Sequence, residues 1–161
     1  MAQLDQFHAG QVIKDYGKIA EVKGMEALPD GARFKVVFDV SKAAEPGGVN
    51  RSLDSVARFI NMHVASGVSL ERIDIAVVVH GKAVFDMVSN ELYQTKNHDL
   101  NHNTPLIKAL SEKGVSFRVC GQSATYYEVT TTDLLPNVKM ALSAMTAHAL
   151  LQQQGYSLNP F

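Results

Sequence analysis

The single cysteine of this 161-residue chain, Cys120, lies where an α/β protein could hold a reactive thiol. It closes an apolar run that starts at Val115, and the residues from Gly121 to Ala124 predict a turn that opens a helix. N–H groups at a helix start favour the thiolate, which is the nucleophilic form of cysteine. The apolar run also supports a second interpretation, in which Cys120 is a small buried hydrophobic residue, as most free cysteines are.

Several polar residues follow other apolar runs, at the positions where predicted strands would end. In a parallel sheet the carboxyl ends of the strands share one edge, and ligands bind in the crevice outside that edge. We therefore predict one site that gathers these residues around Cys120. The second candidate catalytic residue is His80, and the candidate ligand-binding residues are Asp39, Ser41, Gly81, Gly121, Gln122, Ser123 and Ser143.

His80 directly follows a nearly continuous apolar run, Ile73 to Val79. A histidine beside a cysteine can accept the thiol proton, and the resulting imidazolium stabilises the thiolate. This role requires the strand before His80 to neighbour the strand that ends at Cys120. The alternative is a strand-end histidine that hydrogen-bonds to the backbone.

His98 and His102 have the spacing that places two imidazoles on one helical face, as some metal sites require. The asparagines around them disfavour a helix, and two histidines without a third ligand are a weak signal, so a solvated loop is the favoured interpretation. His148 lies among Ala and Leu residues, which favours a packing role over a ligand role. No metal or organic cofactor is predicted.

Four apolar, β-branched runs predict strands, and turn-forming residues bound them. They cover 33–40, 73–79, 115–120 and 138–143. The tail 156–161 is predicted either to add an edge strand or to dock on the surface. Strands and helical patterns alternate along the chain, which predicts a layered α/β fold with a mostly parallel sheet.

The clearest helical pattern follows Asn50, which is predicted to cap it. Another predicted helix has Thr104 as its cap, Pro105 at its first position and Gly114 as its stop. Between them, the polar stretch 93–103 predicts a loop that serves as a lid or an interface element. The other helical patterns cover 84–88, part of 124–135 and 145–154.

Composition and charge narrow the classes of partner. The formal net charge is −1 and Lys and Arg form no run, so no nucleic-acid partner is expected. The longest apolar runs are far shorter than the roughly 18 residues of a membrane span, so no membrane partner is expected either. Residues 1–31 predict an extended N-terminal arm that packs over a neighbour or a partner subunit, and residues 32–161 predict one α/β domain.

Five segments together resemble the DsrE/DsrF-like family of small α/β proteins, some of which act in intracellular sulfur relay. They are 34–39, 78–81, 114–123, 142–147 and 152–156. The resemblance covers 34–161 and implies a three-layer α/β/α fold with a sheet of about five strands. It also implies a homo-oligomer, often a trimer or a hexamer.

The same resemblance implies a cysteine persulfide carrier. Cys120 would accept the sulfane sulfur because it is the only candidate, whereas some relatives have a second cysteine. Relatives with a long N-terminal arm resemble secreted bacterial forms. The expected compartment is therefore the periplasm if a signal peptide has been removed, and the cytoplasm otherwise.

Two functions from different classes follow. In the first, the chain is a sulfurtransferase-like carrier that exchanges sulfur with a donor or acceptor protein. Cys120 attacks a persulfide or polysulfide, and His80 tunes the ionisation of the Cys120 thiol. In the second, the chain is a non-catalytic oligomeric module that binds a small ligand or a partner.

Overall fold

The computed structural model describes residues 3–160, so Met1 and Ala2 of the predicted arm and Phe161 of the predicted tail lie outside the described residues. Within that range the strands are β1 (Phe34–Val40), β2 (Ile73–Val79), β3 (Ser116–Cys120), β4 (Val138–Ala141) and β5 (Ser157–Asn159). They form a five-stranded sheet in the order β4–β3–β2–β1–β5, and every neighbouring pair is parallel. The predicted sheet is confirmed, and β5 is the edge strand predicted for the tail.

Five α-helices connect and cover the strands within residues 3–160. They are α1 (Arg51–Ala65), α2 (Asn90–Asn97), α3 (Thr104–Glu112), α4 (Gly121–Tyr126) and α5 (Ala144–Gln153). The side chain of Asn50 accepts hydrogen bonds from two N–H groups of the first turn of α1, which confirms its predicted role as the cap. The short helical pattern after β2 forms a 3₁₀ helix, Gly81–Met87.

The sheet is covered on both faces, which gives the three layers expected for the fold. Side chains alternate between the two faces of a strand. On one face Phe38 and Val77 belong to the large core that includes α1 and α3. On the other face Val78 packs with Ala147 and Leu151 of α5. The central strand β2 is apolar throughout its centre because neither of its faces meets water.

The loop predicted over 93–103 is wrong in its first half and confirmed in its second. Residues 93–97 belong to α2 and Tyr93 is buried, whereas residues 98–103 form neither helix nor strand. Asn101 is also buried, because its amide donates hydrogen bonds of 2.9 and 2.8 Å to the carbonyl oxygens of Asp86 and Val88. Side-chain amides that satisfy backbone carbonyls let a polar segment pack inside the protein. The segment is therefore a packed part of the domain.

Three predicted boundaries shift by a few residues. Thr104 is the first residue of α3, and Asn103 takes the cap position. Strand β4 ends at Ala141, and Ser143 caps α5 by accepting a hydrogen bond from a helix N–H at 3.0 Å. Helix α4 begins directly after Cys120, without the predicted turn. The first turn of α4 and the first turn of α5 therefore both start at the end of the sheet that carries Cys120.

Part of the N-terminal segment packs on α1 of the same chain. The Asn61 side chain is buried, and its amide donates hydrogen bonds of 2.9 and 3.1 Å to the carbonyl oxygens of Ile13 and Gly17. Ile13 and Ile19 are themselves buried. These contacts anchor the centre of the segment, and the division of the chain at residue 31 stays a prediction.

Candidate functional site

Strands β1, β2 and β3 bring Asp39, His80 and Cys120 to one face of the sheet. Asp39 pairs in register with Val78, which lies two residues before His80 and therefore shares its face. The last paired residue of β2 directly precedes His80, and its partner in β3 directly precedes Cys120. His80 and Cys120 thus occupy neighbouring positions on adjacent strands, as the proton-acceptor role of His80 requires. Helix α5 covers this face.

A cavity of about 560 Å³ lies between this end of the sheet and α5. Its volume is in the range of small-molecule sites. Six of the residues predicted for the site line it: Asp39, His80, Cys120, Gln122, Ser123 and Ser143. Helix α5 adds Ala144, Met145, His148 and Gln152, and β5 adds Leu158.

Polar groups at the starts of α4 and α5 act on the thiol of Cys120. They are the backbone N–H groups of Ser123, Ala144 and Gln122 and the Ser123 hydroxyl, and each of them lowers the pKa of the thiol. Burial raises the pKa of the Cys120 thiol, but these donors outweigh burial and bring its net pKa below the ordinary value. Cys120 is only 6% exposed, yet it lines the cavity. Cys120 is thus buried, as expected for a small hydrophobic residue. Its thiolate is also stabilised, as expected for a reactive thiol.

Ser123 links this sulfur to the segment that follows β2. Its Oγ accepts a hydrogen bond of 3.0 Å from the N–H of Gly81, and its hydroxyl lowers the pKa of the Cys120 thiol. Gly81 has a φ of 57°, a conformation that glycine adopts without steric cost. The bond from Gly81 therefore fixes the position of the Ser123 oxygen.

Glycine is required at position 121 by the close approach of β4. A Cβ atom at Gly121 would lie 2.5 Å from the carbonyl oxygen of Ala141. Gly121, Gly81 and Ser41 lie outside the cavity lining, and Ser41 is exposed. Their predicted part in ligand binding stays a prediction.

One carboxylate holds two imidazoles in the cavity. Nε2 of His80 lies 3.0 Å from each carboxylate oxygen of Asp39, and Nε2 of His148 lies 2.7 Å from Oδ1. An ionised carboxylate only accepts hydrogen bonds, so both Nε2 atoms carry a proton. The imidazole of His80 therefore pairs with a side chain, and the backbone-bonded alternative is not what the structure shows.

Opposing effects act on the Asp39 carboxyl. Burial raises its pKa, whereas the hydrogen bonds from His80 and His148 and the charges of these rings lower it, and the net pKa lies below the ordinary value. Asp39 and His80 are each 32% exposed at the side chain, and His148 is 17% exposed. Asp39 is accordingly ionised at neutral pH and remains an acceptor for both rings.

His148 is a site residue that the sequence interpretation assigned to packing. It lies four residues after Ala144, one helical turn further along the same face of α5. This spacing from the start of α5 was the sequence signal that could have placed His148 in the site. Its Nδ1 atom is buried and has no hydrogen-bond partner among residues 3–160.

The sequence profile of the DsrE/DsrF-like family matches residues 35–160, which is most of the chain. The chain belongs to this family. A search of curated proteins found no match.

Solved structures share the fold of this DsrE/DsrF-like protein. A protein of unknown function from Methanobacterium thermoautotrophicum, MTH1491, is 17% identical, with a TM-score of 0.60, over 80% of this chain and 99% of that chain. The ychN protein from E. coli is 16% identical, with a TM-score of 0.58, over the same shares of the two chains. Identities this low show a common fold, and function has to be argued from the site.

The mouth of the cavity in this DsrE/DsrF-like protein carries exposed apolar side chains. Met145 is 80% exposed and Leu158 is 50% exposed, and both line the cavity. Leu142 is exposed nearby, and its carbonyl oxygen accepts a hydrogen bond from the Gln122 side chain. Exposed apolar groups that surround a cavity are typical of ligand or partner sites.

His98 and His102 lie apart from this site. Helix α2 ends at Asn97, and His98 follows it with a φ of 55°, so the two histidines do not share a helical face. His102 is exposed and lies 3.4 Å from the Asp99 carboxylate. Over residues 3–160, no group of three or more His, Cys, Asp and Glu residues is placed to hold a metal ion. In the same range, no helix has both the length and the apolar character needed to cross a bilayer.

Proposed function

We propose that this DsrE/DsrF-like protein is a sulfane-sulfur carrier that holds the transferred sulfur on Cys120. The observation that carries the proposal is the position of Cys120, which lines a cavity at the starts of α4 and α5, where backbone N–H groups and the Ser123 hydroxyl lower the pKa of its thiol. Such donors stabilise a thiolate, and the thiolate is the form that attacks sulfane sulfur.

The transfer step conserves atoms and electron pairs. The Cys120 thiolate attacks the outer sulfur of a persulfide R–S–SH, forms a new S–S bond and displaces R–S⁻. The products are Cys120–S–SH and a thiolate that takes a proton from its surroundings. No external oxidant or reductant is consumed, because the oxidised sulfur atom moves from one thiolate to the other.

The two imidazoles can exchange protons within the same cavity through their Nδ1 atoms. Asp39 holds Nε2 of His80 and Nε2 of His148 through hydrogen bonds of 3.0 and 2.7 Å, which leaves Nδ1 of each ring for proton exchange. A departing thiolate is a better leaving group when a proton is available to it. We assign His80, which neighbours Cys120 on the adjacent strand, the role of exchanging protons with the thiol and the leaving group.

The test is direct transfer of one sulfur atom. The protein is exposed to inorganic hydropolysulfide, and its intact mass is measured, with Cys120→Ser as the control. We expect one added sulfur on Cys120 that a reducing thiol removes, and no addition to the variant. A folded protein whose mass stays unchanged contradicts the proposal.

A non-catalytic binding module is the second candidate, and the low exposure of Cys120 favours it. In that case the cavity holds a ligand without covalent transfer. The mass measurement separates the two candidates, because an inert thiol in a folded protein supports binding alone.

The family resemblance also supports a homo-oligomer, and we infer a trimer or a hexamer. Exposed apolar residues outside the cavity lining, such as Leu150 on α5 and Tyr126 on α4, supply surface that association would cover. Light scattering on the purified protein tests the inference, and a monomeric mass contradicts it.

A further inference from the structure

We infer that the sulfur donor of this site is a small organic persulfide whose organic group carries no negative charge. The inference rests on the proposed function of Cys120 and adds the chemical class of the donor. It follows from the length of the cavity, the charges in its lining and the nature of its mouth.

The cavity is longer than an inorganic persulfide needs. Four residues on one face of α5 line it, from Ala144 through Met145 and His148 to Gln152. Eight residues of α-helix extend about 12 Å. Leu158 of β5 adds a wall on the other side. A donor whose outer sulfur meets Cys120 therefore has room for an organic group along α5.

No side chain with a permanent positive charge lines the cavity among the described residues. The lining contains neither Lys nor Arg, and its one carboxylate is Asp39. The two imidazoles that could offer positive charge already donate Nε2 to that carboxylate. The N–H groups of Ser123, Ala144 and Gln122 already act on the Cys120 thiol, whose pKa they lower. A second anionic group entering the cavity would lose hydration, would find side-chain donors such as the Gln122 and Gln152 amides but no Lys or Arg, and would be repelled by Asp39.

Apolar side chains form another part of the lining, beside the uncharged polar side chains of Gln122, Ser123, Ser143 and Gln152. Ala144, Met145 and Leu158 contribute carbon atoms to the lining, and the last two extend this surface to the mouth. Moving an uncharged alkyl group from water onto such a surface lowers the free energy. The lining therefore discriminates between donors by charge, which favours the neutral one.

The experiment compares two donors that differ only in a terminal group. The persulfides of 2-mercaptoethanol and of 2-mercaptoethanesulfonate have the same two-carbon chain, and the second carries a sulfonate. Persulfide formation on Cys120 is followed by intact mass against time, with hydropolysulfide as a third donor. We expect the neutral donor to react about tenfold faster or more, which corresponds to a single unfavourable charge in a partly buried site.

Each outcome has a separate meaning. A sulfonate donor that reacts as fast as the neutral donor overturns the inference, while transfer from hydropolysulfide still supports the proposed carrier function. Failure of all three donors overturns the proposed function itself.

A charge introduced at the mouth provides the matched test. Met145→Lys places an ammonium group on an exposed residue of the lining, and it should raise the rate with the sulfonate donor several-fold. Leu142→Lys is the control, because Leu142 is similarly exposed but lies outside the lining. Equal effects of the two variants would show that an ammonium group anywhere on this surface attracts the sulfonate donor. The cavity lining would then not set the preference for the neutral donor, and the inference would be overturned.

Discussion

Oδ1 of Asp39 accepts a hydrogen bond of 2.7 Å from Nε2 of His148, although the two residues are 109 positions apart in the chain. Asp39 is the next-to-last residue of β1. His148 lies in α5, which follows β4 at the edge of the sheet beyond β2 and β3. The same carboxylate also accepts from His80. These bonds join the two sides of the cavity, so the position of α5 over the sheet depends in part on one acidic side chain.

Asp39→Asn is expected to weaken this junction in a pH-dependent way. The folded protein lowers the pKa of Asp39, so the carboxylate contributes stability above its unfolded value of about 3.8, and this contribution is lost as the pH falls through the lower folded value. Because the group is one-third exposed, we expect a loss of about 1 kcal/mol in the free energy of unfolding at pH 7. Urea denaturation of both proteins at pH 7 and at pH 3 measures the difference, which should shrink at pH 3. A difference that stays constant with pH would contradict the ionised role of Asp39.

Ser123→Ala is expected to raise the pKa of Cys120 and slow its reaction with iodoacetamide at pH 7. The hydroxyl lowers the pKa of the thiol by stabilising the thiolate, so we expect its removal to reduce the rate by about threefold or more. The pH dependence of alkylation should move towards higher pH. Ser55→Ala, in an exposed part of α1, is the control and should leave the profile unchanged.

Gly121→Ala is expected to destabilise the protein because its Cβ would lie 2.5 Å from the Ala141 carbonyl oxygen. The strand and the helix would have to separate, at a cost of about 2 kcal/mol or more. Gly67→Ala is the matched control, since its Cβ meets nothing within 4 Å and only its positive φ adds strain. Thermal denaturation measures both variants against the parent protein, and a Gly121→Ala variant as stable as the parent would show that the close approach has no energetic consequence.

Asn101→Ala is expected to destabilise the fold by about 2 kcal/mol, because two buried carbonyl oxygens lose their donor. The neighbouring His102→Ala should change stability by no more than about 0.5 kcal/mol, since its side chain is exposed. Chemical denaturation of both variants provides the measurement. A mild effect of Asn101→Ala would contradict the role of these two hydrogen bonds in packing the segment.

Local patterns in the chain were enough to predict the layered fold and the centre of the site. Apolar runs located the strands, and Asn50 marked the start of α1 because capping depends on neighbouring residues. Asp39, His80 and Cys120 could be placed together from the sequence, since parallel strands end at a common edge.

The partners of these residues depended on contacts between distant parts of the chain. The composition around Asn101 resembles a loop, and only its hydrogen bonds to remote carbonyl groups make burial favourable. In the same way, the Ala144 N–H meets the Cys120 sulfur and His148 meets Asp39 because α5 crosses the sheet in one orientation. Periodicity reports which face of an element is apolar, but the packing of whole layers sets which polar atoms of two elements meet.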